Sequence, residues 1–272
     1  MMKNEAFLVD VDLIARKVSG GRKVPRFVLG IIKRVIHQED FNRYFREGTL
    51  GTEFLEGFLK YIDVTVNVTG IENVPEDGLF TFVSNHPLGI LETCAECAVL
   101  CRRYDGRIAV PANDLMMSVR QVREIMIPVN KMGGQGRELA AALDEAFASD
   151  KQMLYFPAGM CARKIKGKIT EMPWKKTFVT KSRQYHRDII PVWFSGQNSK
   201  RFYFIASLCK FLKLKLNLAM FTLPSELFKC RGKHFEMVIG KPIPWQSLDH
   251  KLRSDSEWAE YLREQTLSLK KD

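Results

Sequence analysis

The 272-residue chain lacks an apolar run long enough to cross a bilayer without a charge. The nearest candidate, residues 202–223, contains Lys210, Lys213 and Lys215, which excludes it as a membrane-spanning helix. A secretion signal is not indicated either, because acidic residues interrupt the apolar run of residues 1–12. These observations predict a cytoplasmic protein without a membrane span.

Cysteine is scarce and is not spaced for metal binding. Cys94 and Cys97 form a C-x-x-C pair, but no second pair among the six cysteines stands at metal-ligand spacing. A chain of 272 residues with 46% hydrophobic content can build a core without disulfides. The cysteines are therefore predicted to be reduced core thiols, and neither a metal nor a cofactor is expected.

Acidic residues are too few to balance the basic ones. The chain has 31 Asp and Glu against 42 Lys and Arg, a net charge of +11 and a pI near 9.4. This excess predicts an anionic partner: nucleic acid, an anionic membrane or a phosphorylated substrate, with a merely solvated basic surface as the alternative. No recognisable nucleic-acid module is present. Residues 202–223 suit a segment lying on anionic lipid, and equally a core-facing helix whose lysines reach water.

The chain contains no internal repeat and no low-complexity linker, but its pattern changes twice. Residues 1–60 predict helices that are basic and apolar, expected to cap the domain or contact the membrane. Residues 61–250 predict an α/β domain, and residues 251–272 a C-terminal helix. In the middle segment short apolar runs alternate with helical patterns, which predicts a mixed, largely parallel sheet covered by helices. The runs are residues 64–68, 79–83, 107–112, 152–156, 189–194 and 235–240.

His86 follows one of these runs and is the first candidate for chemistry. Pro87 and Gly89 predict a loop between a strand and a helix. In a continuous helix, Glu92 would lie about 240° around the axis from His86, whereas a loop lets the two side chains meet. A histidine oriented by a carboxylate can take a proton from a hydroxyl. An ordinary loop histidine followed by a helix-favouring glutamate is the alternative.

Further strand-ending blocks carry glycines and cations. Residues 155–163 lead from an apolar run through a Pro/Gly turn to basic side chains. Backbone N–H groups in such a turn, with a planar guanidinium, suit a phosphate or carboxylate, although a solvated basic loop is the alternative. A separate block at residues 127–137 adds cations, and residues 190–194 predict core or a pocket wall. The candidate binding residues are Pro157, Gly159, Arg163, Lys164 and Lys131.

These four blocks, in their order along the chain, resemble the glycerolipid acyltransferase superfamily, whose members acylate glycerol 3-phosphate or lysophosphatidate. The resemblance covers roughly residues 60–245. It is closer to the bacterial hemolysin-like glycerol acyltransferase branch, with its patterns Asn-His-Pro-x-Gly-x-x-Asp and Phe-Pro-Ala-Gly-x-x-x-Arg, which residues 83–91 and 156–163 fit. Some members of that branch O-acylate lyso-ornithine or lyso-glycine lipids.

The resemblance implies an O-acyltransferase that moves a fatty acyl group from acyl carrier protein or acyl-CoA to a lysolipid hydroxyl. It implies a peripheral location on the inner face of the cell membrane and no nucleic-acid partner. His86 would be the general base and Glu92 its orienting acid. The substrate-binding residues would be Asn85, Pro157, Gly159, Arg163, Lys131 and Lys164.

The chain departs from the main family at two places. Glu92 stands where the family has Asp, and it lies one residue further from the histidine. In the block of residues 155–163, Ala158 replaces a glutamate and Met160-Cys161 replaces Thr-Arg, so the family's phosphate-binding arginine is absent from its usual place. Arg163 is its substitute in the branch pattern. These departures disfavour a phosphomonoester acceptor and keep a catalytically inactive lipid-binding relative as an alternative.

Overall fold

The computed structural model describes residues 10–18, 21, 23–47, 49–113, 116–117, 119–129, 136–212 and 218–270. The helices in these ranges are α1 Val11–Val18, α2 Arg26–Val35, α3 Gln38–Phe45, α4 Gly51–Tyr61, α5 Leu91–Arg103, α6 Gly136–Ala148, α7 Thr177–Gln184, α8 Lys200–Phe211, α9 Leu223–Phe228 and α10 Asp255–Ser268. The strands are β1 Thr65–Thr69, β2 Phe80–Ser84, β3 Ile108–Asn113, β4 Met126–Val129, β5 Gln152–Tyr155, β6 Arg163–Ile165, β7 Lys168–Thr170, β8 Asp188–Phe194 and β9 His234–Ile239.

The strands of the described residues form one large sheet and one hairpin. The sheet has the order β1-β9-β8-β2-β5-β3-β4. Its neighbours pair in parallel except β8 and β9, which run antiparallel. Strands β6 and β7 pair separately as an antiparallel hairpin. The predicted mixed, largely parallel sheet covered by helices is confirmed.

Strand β2 lies in the middle of the sheet and is buried on both faces. All five of its residues are buried, as expected for a strand covered by helices on each side. Because side chains alternate along a strand, Phe80 and Phe82 join the core on the side of α4 and α5. Val83 joins the opposite core, with Phe178 of α7 and Trp258 of α10.

The terminal helices differ in how firmly they join this core. Aromatic side chains of α3 and α4, including Tyr44 and Phe58, pack in the same cluster as Phe82. Helix α10 begins with a capping box formed by Ser254 and Glu257. Helix α2, in contrast, has no buried residue. Within the described part of the chain, no helix is both long and apolar enough to cross a membrane.

The carboxyl ends of β2, β5 and β8 lie side by side, because these strands are parallel neighbours. Their following loops therefore meet at one edge of the sheet, the usual place for a site in an open α/β fold. Strand β4 lies at the far end of the sheet, separated from β2 by β5 and β3. The fold thus brings three of the four sequence blocks together. The remaining block, residues 127–137, begins in β4 at the border of the sheet.

Candidate active site

The chain turns sharply between β2 and α5, and this turn holds His86. Gly89 has φ +103°, in the left-handed region, and a Cβ there would lie 3.0 Å from a methyl carbon of Leu223. Helix α5 begins at Leu91, so His86 lies outside the helix and Glu92 lies in its first turn. His86 Nδ1 lies 3.0 Å from Glu92 Oε1. The structure brings this predicted pair together.

Glu92 is buried and is fixed by the backbone of the loop that carries His86. Its Oε1 accepts hydrogen bonds from the N–H groups of Leu88 at 2.9 Å and Gly89 at 2.7 Å. The approach of Oε1 to His86 Nδ1 has ion-pair distance without the direction of a linear hydrogen bond. Glu92 therefore both closes the loop and places a carboxylate beside the imidazole.

Asn85 ties the same loop to the end of the neighbouring strand. Its amide oxygen accepts from the N–H of Phe194 at 2.7 Å, and its amide nitrogen donates to the carbonyl of Phe194 at 2.9 Å. The side chain is buried. Asn85 thus fixes the backbone next to His86, and its predicted contact with substrate stays a prediction.

A second carboxyl group, Glu171, contacts His86 and was not predicted from the sequence. The N–H of His86 donates to both carboxyl oxygens of Glu171 at 3.2 Å, and the indole N–H of Trp174 donates to one of them at 3.2 Å. Burial raises the pKa of Glu171, although the Trp174 and His86 donors partly oppose this. Glu171 follows the β6–β7 hairpin, and its contact is with the backbone, so no side-chain motif marks it.

The loop after β5, residues 156–162, packs directly on the loop that carries His86. The N–H of Ala162 donates to the carbonyl of His86 at 2.7 Å, and the Phe156 ring lies 4.7 Å from the imidazole between centroids. Pro157 is buried, and its carbonyl accepts from Lys175 N–H at 3.1 Å. The N–H of Gly159 donates within its own turn, to the carbonyl of Phe156 at 2.9 Å.

His86 is thereby held on three sides by carboxyl and backbone groups, while 15% of its side-chain surface stays exposed. With Nδ1 facing Glu92, Nε2 is the ring nitrogen left to exchange a proton with a substrate. This is the arrangement of a general base with an orienting acid. A comparison with protein-family models gives the matching class: the family described as Acyltransferase matches residues 12–272.

The chain belongs to the acyltransferase family.

Two relatives of this acyltransferase are similar over nearly their whole length. A lyso-glycine lipid O-acyltransferase of Bacteroides thetaiotaomicron is 43% identical over 268 residues, which is 97% of this chain and 98% of the relative. A protein of the same name from Phocaeicola vulgatus is 40% identical over 274 residues, or 99% and 98% of the two chains. The family resemblance inferred from the sequence is confirmed.

The fold of the acyltransferase is also similar to a solved structure. The crystal structure of the 1-acyl-sn-glycerophosphate (LPA) acyltransferase PlsC from Thermotoga maritima superposes with a TM-score of 0.51 at 15% identity. The match covers 95% of this chain and 93% of that one. At this identity the similarity establishes the fold alone.

Two of the three predicted binding cations, Arg163 and Lys164, lie among the described residues of the acyltransferase. Arg163 Nη1 donates to the carbonyls of Cys161 at 2.7 Å and Ala162 at 3.2 Å, and its guanidinium lies 5.2 Å from the Phe202 ring centroid. Arg163 is therefore anchored beside the loop of residues 156–162. Lys164 is exposed on the β6–β7 hairpin. Lys131 lies outside the described residues.

All six cysteines of the acyltransferase are free thiols, and five of them are buried. Burial raises the pKa of Cys101 and the pKa of Cys230 to about 11. Across the described ranges, no group of three or more His, Cys, Asp and Glu side chains is arranged to hold a metal ion.

Proposed function

We propose that this acyltransferase moves a fatty acyl group from an acyl thioester to the hydroxyl of a lysolipid, and that a lyso-glycine lipid is its acceptor. The observation that carries the proposal is the buried Glu92 carboxylate 3.0 Å from His86 Nδ1 at the carboxyl edge of the sheet. The acceptor class comes from the two relatives named lyso-glycine lipid O-acyltransferase, at 43% and 40% identity. The donor would be acyl carrier protein or acyl-CoA.

The proposed reaction needs one base and no covalent enzyme intermediate. His86 Nε2 takes the proton of the acceptor hydroxyl while the hydroxyl oxygen attacks the thioester carbonyl carbon. Glu92 stabilises the imidazolium that forms. The tetrahedral intermediate then expels the thiolate, which receives the proton from His86. An ester bond forms, a thioester bond breaks, and the enzyme returns to its initial protonation state.

Cys161 is a thiol in the loop that packs on His86, and its environment argues against an acyl-cysteine route. It is buried, and burial raises its pKa, although Arg163 acts in the opposite direction. A thiol that is kept protonated is a poor nucleophile. Direct transfer to the hydroxyl is therefore the better proposal.

The cations at and after the loop of residues 156–162 suit an acceptor with an anionic headgroup. Arg163 is fixed next to residues 156–162 by its bonds to the Cys161 and Ala162 carbonyls. We assign to Arg163, with Lys164 and Lys131, the binding of that headgroup, because guanidinium and ammonium groups attract carboxylate or phosphate. Gly159 and Pro157 would shape the turn under it, and Asn85 would hold the loop.

A face formed by α8 and the β6–β7 hairpin suits contact with an anionic membrane. On α8 the apolar side chains Phe204 and Phe211 are 67% and 81% exposed, and Leu208 and Leu212 extend the same stripe. The hairpin exposes Ile165 and Ile169. Neither segment contains an acidic residue, and together they carry the cations Arg163, Lys164, Lys166, Lys168, Lys200, Arg201 and Lys210.

Apolar side chains among cations are typical of a surface that lies on anionic lipid. We therefore propose that the enzyme works as a peripheral protein on the inner face of the cell membrane, where a lysolipid acceptor would reside. The other side of α8 is buried through Phe202, Tyr203 and Cys209, so this helix would belong to the core and to the lipid-facing surface at once.

The test is acyl transfer by the purified protein with acyl carrier protein or CoA thioesters as donors. Lyso-glycine lipid, lyso-ornithine lipid and lysophosphatidate are offered separately, and products are identified by mass spectrometry. We expect the diacylated product with lyso-glycine lipid and a loss of about 1000-fold in kcat for His86→Ala.

His37→Ala is the matched control, because His37 Nδ1 also lies 3.0 Å from a carboxylate, that of Asp40, at a different place in the fold. It should leave kcat unchanged. Turnover that survives His86→Ala would refute the base, and vesicle binding without turnover of any acceptor would favour an inactive lipid-binding relative.

A further inference from the structure

Glu96 is a buried acid that the proposed reaction does not use. It lies on α5 one turn after Glu92, and its side chain is fully buried. Glu96 Oε1 lies 2.7 Å from Ser84 Oγ. Its other oxygen has no hydrogen-bond partner, and no ion pair is formed by Glu96 among the described residues. A carboxylate buried in this way is costly, whereas a neutral carboxylic acid is tolerated.

The contacts of Ser84 indicate where the proton must be. Ser84 Oγ lies 2.7 Å from Glu96 Oε1 and 3.0 Å from the carbonyl oxygen of Asn85. A hydroxyl has a single proton and can donate to only one of these two acceptors. If Glu96 is protonated, its carboxyl donates to Ser84 Oγ and Ser84 donates to Asn85, so both contacts become hydrogen bonds. Burial, with a smaller effect of Glu92, raises the pKa of Glu96 well above its ordinary value.

The peptide unit reached through Ser84 is the one that precedes the imidazole. The carbonyl of Asn85 and the N–H of His86 belong to the same rigid plane. Its N–H side donates to Glu171 at 3.2 Å, and its carbonyl side accepts from Ser84 at 3.0 Å. Two carboxyl groups from different parts of the chain therefore hold this plane from opposite sides.

We propose that neutral Glu96, acting through Ser84, fixes the Asn85–His86 peptide and so sets the direction in which His86 presents its imidazole. Glu96 is a positioning residue, because it touches neither the imidazole nor a substrate. The kinetic part of this inference rests on the function proposed above. Without Glu96 the Ser84 hydroxyl loses the group that fixes its direction, and without Ser84 the peptide plane is held on the Glu171 side only. Small misplacements of a base lower its rate.

Three substitutions test the hydrogen-bond chain. Glu96→Gln keeps a neutral donor to Ser84, Glu96→Leu removes it, and Ser84→Ala removes the link. We expect Glu96→Gln to keep kcat within about threefold of the wild type, and the other two to lower kcat about 10- to 100-fold with little change in KM. The double variant Ser84→Ala/Glu96→Leu should be no slower than the slower single variant, because both changes break the same chain.

The melting temperatures of the variants distinguish a positioning role of Glu96 from a general loss of folding stability. Since replacing both partners of a buried hydrogen bond by apolar side chains can be nearly neutral, we expect the double variant Ser84→Ala/Glu96→Leu to melt close to the temperature of the wild type. Additive losses in the double variant, or a Glu96→Gln enzyme as slow as Glu96→Leu, would overturn the inference.

The protonation state can be measured without any activity. Infrared difference spectra between the wild type and Glu96→Gln at neutral pH should contain the carbonyl stretch of a protonated carboxyl group. Glu226→Gln is the matched control, because Glu226 is also buried but bonds to Lys229 at 2.6 Å, and its difference spectrum should show a carboxylate instead. Absence of the protonated signal for Glu96 would refute the inference. Its presence in a protein without acyl transfer would refute the proposed function and leave the hydrogen-bond chain intact.

Discussion

Replacing Glu92 by glutamine tests the orienting acid by removing its charge and keeping its shape. The amide oxygen can still accept the N–H groups of Leu88 and Gly89, which now bond to Oε1 at 2.9 and 2.7 Å. What disappears is the negative charge 3.0 Å from His86 Nδ1. The loop should therefore stay closed while the imidazolium formed during the reaction loses its partner.

The distance gives the magnitude of the expected effect. Two unit charges 3.0 Å apart attract by about 5.5 kcal/mol at an effective dielectric constant of about 20. The amide dipole of the glutamine, and water at the imidazole, which is 15% exposed, compensate for part of the lost attraction. We expect a loss of about 3 kcal/mol in transition-state stabilisation, which is about a 100-fold drop in kcat.

Glu92→Asp is the companion variant, because it keeps the charge and shortens the reach by one C–C bond, about 1.5 Å. At a separation of about 4.5 Å the same attraction falls by about 2 kcal/mol, so we expect about a 20-fold drop in kcat.

The assay for both variants is steady-state acyl transfer to the lysolipid acceptor, with thermal unfolding as the check that the loop still folds. Asp40→Asn is the matched control, because it removes the carboxylate 3.0 Å from His37 outside the site. It should leave kcat within about twofold of the wild type. A Glu92→Gln enzyme with wild-type kcat would refute the role of the acid.

Two further predictions concern lipid contact and acid stability. The double variant Phe204→Ser/Phe211→Ser should bind anionic vesicles at least tenfold more weakly in a sedimentation assay, since about 3 kcal/mol of apolar contact is lost. Leu252→Ser is the control, because Leu252 is 72% exposed on a different segment, and it should not weaken binding. Equal binding by both variants would contradict the proposed lipid-facing surface. Burial raises the pKa of Asp255, but hydrogen bonds from a threonine and from Arg183 outweigh it and the net pKa is lowered. Its contribution is thus present at neutral pH and lost as the pH falls below about 4, and urea unfolding of Asp255→Asn should show a deficit at pH 7 that shrinks toward pH 3.

Six of the seven strands of the described sheet, all except β4, could be predicted because each is a short apolar run with clear borders. The run 79–83 became β2, Phe80–Ser84, and the run 189–194 became β8, Asp188–Phe194. The β6–β7 hairpin was missed because Arg163 and three lysines lie around a glycine turn, a pattern that is equally typical of a solvated basic loop. Local pattern marks elements with a buried face, and the hairpin has almost none.

The candidate site also contains residues that could be predicted from the sequence and residues that could not. His86 and Glu92 stand six residues apart and could be paired from the sequence, because only the loop geometry between them was needed. Glu171 could not be predicted, since it reaches His86 from 85 residues away and contacts only its backbone N–H. Asn85 was expected at the substrate, and its contacts with Phe194 became visible only once β8 lay beside β2.

The unusual acid of this chain is explained by two departures that offset each other. The main family of the resemblance would place its acid at Leu91, whose side chain is buried in the core. Gly89, with its left-handed backbone, lets the loop close so that α5 starts one residue before Glu92. The added methylene then gives the carboxylate the reach to lie 3.0 Å from Nδ1. A longer acid at a later position delivers a carboxylate to the imidazole, and the displaced spacing is therefore not a reason to expect an inactive protein.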